Sequence, residues 1–460
     1  MKRLASLLLL VVLVLGGSLP ARGAMAQESG PVYIVQEGDT LSTIAIRFGT
    51  TVEALVQANG ISDPALIAPG LRLVLPGFEG VRGVLAVHEV EFGESLASLA
   101  ASYRVSRQSL AKLNRLVSPG RMYVGQLAIV PEPESGALAS AFTQLFPVEE
   151  GMLEAAVGWG LNPWILSGST ASLWGVPGER IYLPGGDSLA TDLPADLTSV
   201  EVDPSPVIQG HTAVIRIVAS PGVQVDGSLA DLDLNTMAVG SNDGSWIALQ
   251  GIHALYPPGL MDLEVRVLTD GHEEGFRQPV RVLEGGYGRE ALQGLPQETL
   301  DPANTGPEDK RVAEAVRPAS AERLWDGLLQ FPTGYFEAFP SRFGTRRSYN
   351  GSEYRYYHTG LDLYGNSETP VLAPAPGIVV FAGQLTVRGN TTYIDHGWGV
   401  YTGYLHQSEI LVQPGDQVET GETIGMVGAT GRVTGAHLHW EIWVGGVPVD
   451  PMEWTERSFP

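Results

Sequence analysis

Hydrophobic positions change their spacing along the chain, and each spacing predicts a different kind of element. Near the N-terminus, Leu41, Ile44, Ala45 and Phe48 stand three or four residues apart, which is the spacing of one face of a helix. Residues 260–268 (LMDLEVRVL) instead alternate between apolar and polar side chains, as in a half-buried strand. In the last third, short apolar runs stand between glycine turns, which predicts a compact antiparallel sheet.

The helical pattern belongs to a unit that the chain repeats. Residues 35–60 and 90–115 align without a gap, and the alignment pairs Gly38 with Gly93. A shorter third copy over 147–185 keeps EEG and PGERIYLP. Each unit is predicted to contain a strand, a Gly-Asp or Gly-Glu turn, two helices and a closing strand. A repeat at a fixed offset indicates tandem small domains.

These units resemble LysM domains through the motif V-x-x-G-D-T-L-x-x-I-A, an internal Asn and a closing P-G-x-x-L-x-L-P. We place them at 31–77, at 86–132 and, in degenerate form, at 147–185. The resemblance implies binding of glycans rich in N-acetylglucosamine, such as peptidoglycan, largely through backbone and short polar groups. The alternative is that a repeat only packs against other domains or spaces them apart.

The alternating pattern continues through the middle of the chain. Residues 196–290 contain segments such as 213–219 (AVIRIVA) between turn signals, and we predict a β-sandwich of immunoglobulin-like type. No chemical constellation appears in this region. The polar stretch over 291–327 is predicted to be a linker with a short helix, placed at 311–325 around Pro318.

Composition narrows the possible partners. A length of 460 residues predicts several domains, and a net charge of −23 argues against nucleic acid, whose phosphates require clustered Lys and Arg. The chain has no cysteine, which excludes disulfides, thiolate zinc sites and thiol nucleophiles.

The N-terminus predicts the compartment. Lys2 and Arg3 precede an apolar run, and Ala24-Met25-Ala26 provides a cleavage site, so residues 1–26 are predicted to be a secretory signal peptide. The apolar run is shorter than the roughly 20 residues needed to span a bilayer, and no later segment is long enough. We therefore expect a secreted protein without a membrane span after cleavage.

Five of the nine histidines lie after residue 328, and their spacing suggests a metal site. His437 and His439 are two apart on a predicted strand, so they share a face about 7 Å apart. His358 and Asp362 would be about 13 Å apart on a straight strand, so we expect the chain to bend at Gly360. One zinc ion can then bind His358, Asp362 and one histidine of the pair, and spacing does not say which one. Three protein ligands leave a position open for water, as in catalytic zinc sites.

One other interpretation of this region is excluded. The stretch PGDQVETGETIGMVG (414–428) also occurs in lipoyl and biotinyl carrier domains, which attach their cofactor to a lysine. The chain has no lysine after Lys310.

Three short motifs make residues 328–456 resemble the lysostaphin-type (LytM-like) zinc peptidases. They are HTGLD (358–362), YLH (404–406) and TGAHLHWE (434–441). The resemblance implies a β-sheet fold with an open groove. It also implies three zinc ligands and two catalytic histidines. The ligands are His358, Asp362 and His439, and the catalytic residues are His406 and His437. We expect His396, which is in none of these motifs, to be structural.

The sequence thus predicts a multidomain, mostly β protein with small α+β modules. Its parts are tandem LysM domains, a β-sandwich (Ig-like) domain and a C-terminal antiparallel β-sheet metallopeptidase domain. The predicted function is a secreted, zinc-dependent cell-wall hydrolase that cleaves peptide bonds of peptidoglycan stems or cross-links and is tethered to glycan by LysM domains. The alternative is a non-enzymatic activator or scaffold of wall hydrolases that binds peptidoglycan.

Overall fold

A computed structural model describes most of the chain. The described ranges are 30–116, 122–134, 137–145, 152–159, 180–185, 189–240, 243–269, 271–334 and 339–460. The predicted signal peptide and much of the third repeat lie outside them. By its contacts the chain divides into two compact units, Met1–Ala86 with Pro131–Gly136, and Val87–Val130 with Ala137–Pro460. Within the described ranges, no helix combines the length and apolar character needed to cross a membrane.

The first unit contains the first repeat, and its helices begin where the sequence places them. The Thr40 hydroxyl accepts a hydrogen bond from the Thr43 N–H, and the Thr43 hydroxyl accepts one from the Thr40 N–H. This capping box satisfies two donors at the start of the helix. The predicted face is buried. The elements are β1 (Val32–Ile34), α1 (Leu41–Phe48), α2 (Val52–Asn59) and β2 (Arg72–Val74).

The second repeat has the same architecture. Asn114 bonds through its amide to the backbone of Ile129, as Asn59 bonds to Val74 in the first repeat. The internal Asn therefore fastens the second helix to the closing strand. The elements are β3 (Val84–Glu89), α3 (Leu96–Ser102), α4 (Arg107–Leu113) and β4 (Leu127–Glu132). In the region of the third repeat, the described elements are β5 (Ala141–Leu145), α5 (Met152–Gly158) and β6 (Arg180–Pro184).

The middle region forms two sheets, which are antiparallel except for one parallel pair between 207–208 and 282–283, and their inner side chains make one hydrophobic cluster. Leu263, Val265 and Val267 are buried, as the alternation predicts. The immunoglobulin-like assignment stays a prediction. The strands are β7 (Leu197–Asp203), β8 (Val207–Ile208), β9 (Thr212–Ala219), β10 (Gln224–Leu229), β11 (Leu232–Asp233), β12 (Thr236–Ala238), β13 (Ser245–Gly251), β14 (Gly259–Thr269) and β15 (His272–Leu283).

The segment after the sandwich differs from the prediction of a helix over 311–325. The chain forms β16 (Arg289–Leu292), a 3-10 turn and α6 (Pro302–Ala315). The Asp301 side chain caps this helix and Pro302 occupies its first position, which are strong start signals. Pro318 disfavours helix in the residue before it, so the helix ends early. Helix α6 packs on the C-terminal domain, since Val312 clusters with Phe381 there.

The C-terminal domain is built on a large antiparallel sheet, as predicted, and a smaller three-stranded sheet packs with it. In the large sheet β27 (Leu438–Val444) lies between β19 (Leu361–Leu363) and β23 (Val400–Gln407). These three strands carry Asp362, His406 and His439. The elements are β17 (Arg346–Tyr349), β18 (Tyr356–Tyr357), β19 (Leu361–Leu363), β20 (Pro370–Leu372), β21 (Gly377–Leu385), β22 (Gly389–Gly397), β23 (Val400–Gln407), β24 (Glu409–Ile410), β25 (Gln417–Val418), β26 (Thr423–Met426), β27 (Leu438–Val444), β28 (Val447–Val449) and α7 (Pro451–Glu456).

Candidate active site

Three side chains predicted as ligands converge on one point. Sheet register places Asp362 on β19 directly opposite His439 on β27, and His358 reaches them from the turn before β19. The His358 Nε2 atom lies 2.9 Å from Asp362 Oδ1 and 2.8 Å from His439 Nδ1. That Nδ1 atom lies 2.9 Å from the same Oδ1.

Gly360 has a different role from the one expected. It does not adopt the left-handed backbone conformation that favours glycine. Instead, a Cβ at this position would collide with the Trp440 carbonyl oxygen and the His439 ring. Glycine is required here because the turn between His358 and Asp362 lies directly against β27.

The outer nitrogens of the two histidines have partners that fix the inner ones. His358 Nδ1 donates to the Arg342 carbonyl oxygen at 3.0 Å, and His439 Nε2 donates to Glu441 Oε1 at 3.2 Å. Each inner nitrogen therefore presents a lone pair, and the third donor is a carboxylate. Two imidazole lone pairs and a carboxylate at one point are a donor set that zinc binds well, with second-shell hydrogen bonds of the usual kind. The residues therefore fit zinc.

Burial favours a neutral His358, whereas the neighbouring carboxylates favour positive charge at His439. All three side chains are buried, and burial lowers the pKa of His358 to about 4. Although burial opposes ionisation, His358 and His439 hold the pKa of Asp362 well below its usual range. Burial alone would lower the pKa of His439, but its hydrogen bonds to Asp362 and Glu441 raise it. The two carboxylates thus favour positive charge at this point, which a bound cation supplies.

The other two predicted histidines lie beside this point. The ring centroid of His406 is 5.1 Å from that of His437 and 5.9 Å from that of His439. His406 Nδ1 donates to the Thr430 carbonyl oxygen at 2.8 Å, and His437 Nδ1 donates to the Gly435 carbonyl oxygen at 2.9 Å. Both rings therefore keep an Nε2 lone pair that can accept a proton. Burial lowers the pKa of His406 to about 3, so that ring is neutral.

His396 lies apart from this group. It is fully buried, and its two ring nitrogens bond to the Pro376 carbonyl oxygen and the Thr402 hydroxyl. This is the arrangement of a structural histidine.

The comparisons with known proteins agree with the geometry. Residues 356–451 match the model of peptidase family M23, and residues 33–76 and 88–131 match the LysM domain model. The chain carries an M23 peptidase domain.

Two named relatives match part of the chain. The peptidoglycan DD-endopeptidase ShyA of Vibrio cholerae is 42% identical over 134 residues, which are 29% of this chain and 31% of ShyA. The DD-carboxypeptidase/endopeptidase Mpg of Neisseria meningitidis is 45% identical over 95 residues, 21% of this chain and 22% of Mpg. The chain thus matches about a third or less of the length of these relatives. A peptidase M23 crystal structure from Pseudomonas aeruginosa is 27% identical, with 55% of this chain and 96% of that chain covered and a TM-score of 0.40.

Glu441 supports the candidate site of the M23 domain, which we call the M23 site, through hydrogen bonds of its carboxylate. Its carboxylate accepts hydrogen bonds from Thr359 Oγ1 at 2.6 Å, from the Tyr393 hydroxyl at 2.7 Å and from Trp443 Nε1 at 2.8 Å, besides the bond to His439. Although burial opposes ionisation, the bond from His439 lowers the pKa of Glu441. Strand alternation places Glu441 on the same face as His439, but nothing in the sequence identifies Thr359 or Tyr393 as its partners.

The M23 site opens into a groove of about 700 Å³ that also holds several arginines. Arg347 pairs with Glu290 and Asp362, and Arg388 pairs with Glu308 and Asp309. Arg432 differs, because within the described part of the chain it has no carboxylate in salt-bridge range. Its guanidinium stacks on the Tyr349 ring at 4.6 Å and donates to the Thr299 carbonyl oxygen at 2.9 Å. Burial and the neighbouring arginines lower the pKa of Arg432.

Proposed function

We propose that the protein is an extracytoplasmic, zinc-dependent endopeptidase that cleaves peptide bonds in peptidoglycan stems or cross-links. The observation that carries this proposal is the convergence of two imidazole lone pairs and a carboxylate, with two more histidines beside them. The names of the relatives, a peptidoglycan DD-endopeptidase and a DD-carboxypeptidase/endopeptidase, support the substrate class. In this proposal His358, Asp362 and His439 are the zinc ligands, and His406 and His437 are the catalytic residues.

When bound, zinc polarises the scissile carbonyl and lowers the pKa of its water. Side chains of the protein then transfer protons and stabilise the charge that develops. His437 or His406 accepts a proton at Nε2 and later returns one to the leaving amine, as general base and acid. The imidazolium formed by this transfer stabilises the negative charge that develops on the oxygen of the attacked carbonyl. The hydrogen bonds to Gly435 and Thr430 hold both rings in the orientation that this exchange requires.

The groove favours a peptide that carries carboxylates. Among the described residues Arg432 forms no salt bridge, while its neighbours Arg347 and Arg388 are already paired. A guanidinium binds a carboxylate strongly through charge-assisted hydrogen bonds. Stem peptides of peptidoglycan contain free carboxylates, whereas a glycine bridge has none within its chain. We therefore infer that the substrate bond lies next to a free carboxylate of a stem peptide.

The LysM domains act as a tether in this proposal. A weak contact with glycan raises the local concentration of peptide substrate without taking part in the reaction. Secretion through the predicted signal peptide would deliver the enzyme to the wall.

Incubation of the purified protein with purified peptidoglycan tests the proposal. We expect cross-linked muropeptides to be hydrolysed to their monomers, with the mass of one water added per bond in mass spectrometry. A chelator should abolish this release and zinc should restore it. A non-enzymatic activator would release nothing alone and would increase release only when a second hydrolase is added. That result would reject the proposed peptidase activity and favour a non-enzymatic activator of wall hydrolases.

A further inference from the structure

The two LysM repeats share a surface made of two turns at one end of the module. In the first repeat these turns are 36–40 and 67–71. Val35 joins them, since its carbonyl oxygen accepts from the Gly70 N–H at 2.8 Å and its N–H donates to the Leu71 carbonyl oxygen at 2.9 Å. We call this surface the first turn pair.

The second repeat has the same arrangement. Its turns are 91–95 and 122–126, and Val90 joins them. The Val90 carbonyl oxygen accepts from the Gly125 N–H at 2.9 Å, and the Val90 N–H donates to the Gln126 carbonyl oxygen at 2.9 Å. We call this surface the second turn pair.

The two turn pairs differ in exposure. In the first, Glu37, Gly38, Pro69 and Gly70 are exposed, and a side chain built on either glycine meets no atom within 4 Å. The matched residues of the second turn pair are less accessible. Three of them are buried, namely Phe92, Gly93 and Val124.

Gln278 of strand β15 covers the second turn pair with a set of backbone hydrogen bonds. Its Oε1 atom accepts from the Gly93 N–H at 2.8 Å. Its Nε2 atom donates to the Glu94 carbonyl oxygen at 3.0 Å and also lies 3.4 Å from the Glu91 and 3.5 Å from the Met122 carbonyl oxygens. This side chain is 3% exposed. These backbone groups of the second turn pair are thus occupied by Gln278 and are not available to a ligand.

Apolar packing and further backbone bonds complete the cover. Phe92 packs edge-to-face on Phe276 with centroids 5.4 Å apart, and it belongs to the core cluster of the sandwich, as does Val124. The Val124 N–H donates to the Pro279 carbonyl oxygen at 2.9 Å. The position of Phe92 is held by Glu37 in the first repeat. At this position the sequence therefore differs between the two repeats. The residue is apolar in the covered second repeat and charged in the exposed first repeat.

We propose that the second LysM repeat is a docking module bound by the β-sandwich, and that of the two repeats only the first contacts glycan. This rests on the proposed binding of glycan by the LysM domains. It gives the sandwich a role, because the sandwich holds the second repeat beside the M23 domain in one compact unit. The second copy then adds no avidity to the tether.

Hydrogen exchange of the full-length protein tests the docking. Gln278→Glu keeps the shape of the side chain but removes the donor, and it places a negative charge against carbonyl oxygens. We expect exchange in 91–95 and 122–126 to become faster by about tenfold or more, because the bonds that protect these amides open locally. Gln224→Glu, at an exposed position of the same sheet, is the control and should change nothing there. Equal exchange in both variants would overturn the docking.

Titration calorimetry with a soluble oligomer of N-acetylglucosamine tests the number of glycan contacts. We expect one oligomer per chain for the full-length protein. Ala68→Trp adds bulk to the exposed first turn pair and should weaken binding by about tenfold or more, as loss of a binding surface does. Two oligomers per chain, or unchanged affinity in Ala68→Trp, would overturn the inference.

The two experiments separate this inference from the proposed function. If the full-length protein binds no oligomer while Gln278→Glu exchanges faster, the docking of the second repeat stands and glycan tethering is rejected. If release of muropeptides fails while one oligomer still binds, the enzyme is rejected and the assignment of the two repeats stands.

Discussion

His406 and His437 face each other with ring centroids 5.1 Å apart, and each donates its Nδ1 hydrogen to a backbone carbonyl oxygen. The pair comes from different parts of the chain. His406 follows the end of the regular pairing between β23 and β27, and it has a left-handed backbone with φ of 66°. Such a conformation is strained for a non-glycine residue and is held here by the surrounding bonds. We infer that this strain is tolerated because it sets the orientation of the His406 ring toward His437.

Substitution of the histidines should separate metal binding from proton transfer. His437→Ala and His406→Ala should retain zinc, because neither supplies one of the three converging donors, while activity falls by about 10²–10⁴. His439→Ala, His358→Ala and Asp362→Ala should lose both zinc and activity. Zinc content by plasma mass spectrometry and the rate of muropeptide cleavage provide the measurement. If His437→Ala lost zinc and His439→Ala kept it, the two assignments would be exchanged.

Glu441→Gln should weaken zinc binding without removing a ligand. The amide offers His439 Nε2 only a neutral acceptor, so the hydrogen bond that fixes the tautomer of the ring becomes weaker. Loss of such second-shell partners typically costs 10–100-fold in metal affinity, and we expect about that change. Competition with a fluorescent chelator measures it. Tyr393→Phe removes a different bond to Glu441 and should have a smaller effect, and an equal effect would reject the special role of the His439 bond.

Arg432→Gln should reduce kcat/KM for stem peptides with free carboxylates by about tenfold, in line with the strength of charge-assisted hydrogen bonds. The same variant should cleave amidated stem peptides at the wild-type rate. Parallel assays with free and amidated muropeptides provide the measurement. If the wild-type enzyme cleaves both forms equally, recognition of a carboxylate by this groove is rejected, although the peptidase activity is not.

Glu308→Ala should destabilise the C-terminal domain by about 3 kcal/mol, as expected when one partner of a buried ion pair is removed. Glu308 is buried, pairs with Arg388 at 2.9 Å and accepts from the backbone N–H groups of Val387 and Arg388. Urea unfolding measures the change. Asp309→Ala removes an exposed partner of the same arginine and should cost less than about 1 kcal/mol. Similar losses in the two variants would contradict the argument from burial.

The contact of His211 with Glu453 should stabilise the protein at low pH. The Glu453 carboxylate, 3.5 Å from His211 Nδ1, raises the pKa of His211. A group with a raised folded-state pKa stabilises fully below its unfolded value of about 6.5, and the contribution is lost as the pH rises through the folded value. The melting temperature of His211→Gln should therefore lie below that of the wild type near pH 6 and approach it at higher pH. Glu453→Gln should remove the same dependence, and a gap that is constant with pH would contradict this.

The sequence predicted those features that depend on local pattern. Caps and periodicity located the helices of both repeats. The H-x-x-x-D and H-x-H spacings pointed to His358, Asp362 and one histidine of the pair, and in the structure His439 is the one that converges with them. Contacts between distant segments could not be predicted in this way. The position of Phe92 gave no sign of its partner Phe276, and the stretch around Pro302 looked like a linker because its burial depends on the C-terminal sheet.

Glu441 links two of the candidate zinc ligands. A single carboxylate bonds to the ring of one candidate ligand and, through Thr359, to the residue next to another. A single substitution at Glu441 would therefore loosen two candidate ligands at once. The residues proposed to contact glycan lie in another part of the chain and would be unchanged, so the proposed peptidase activity and the proposed wall binding could be lost separately.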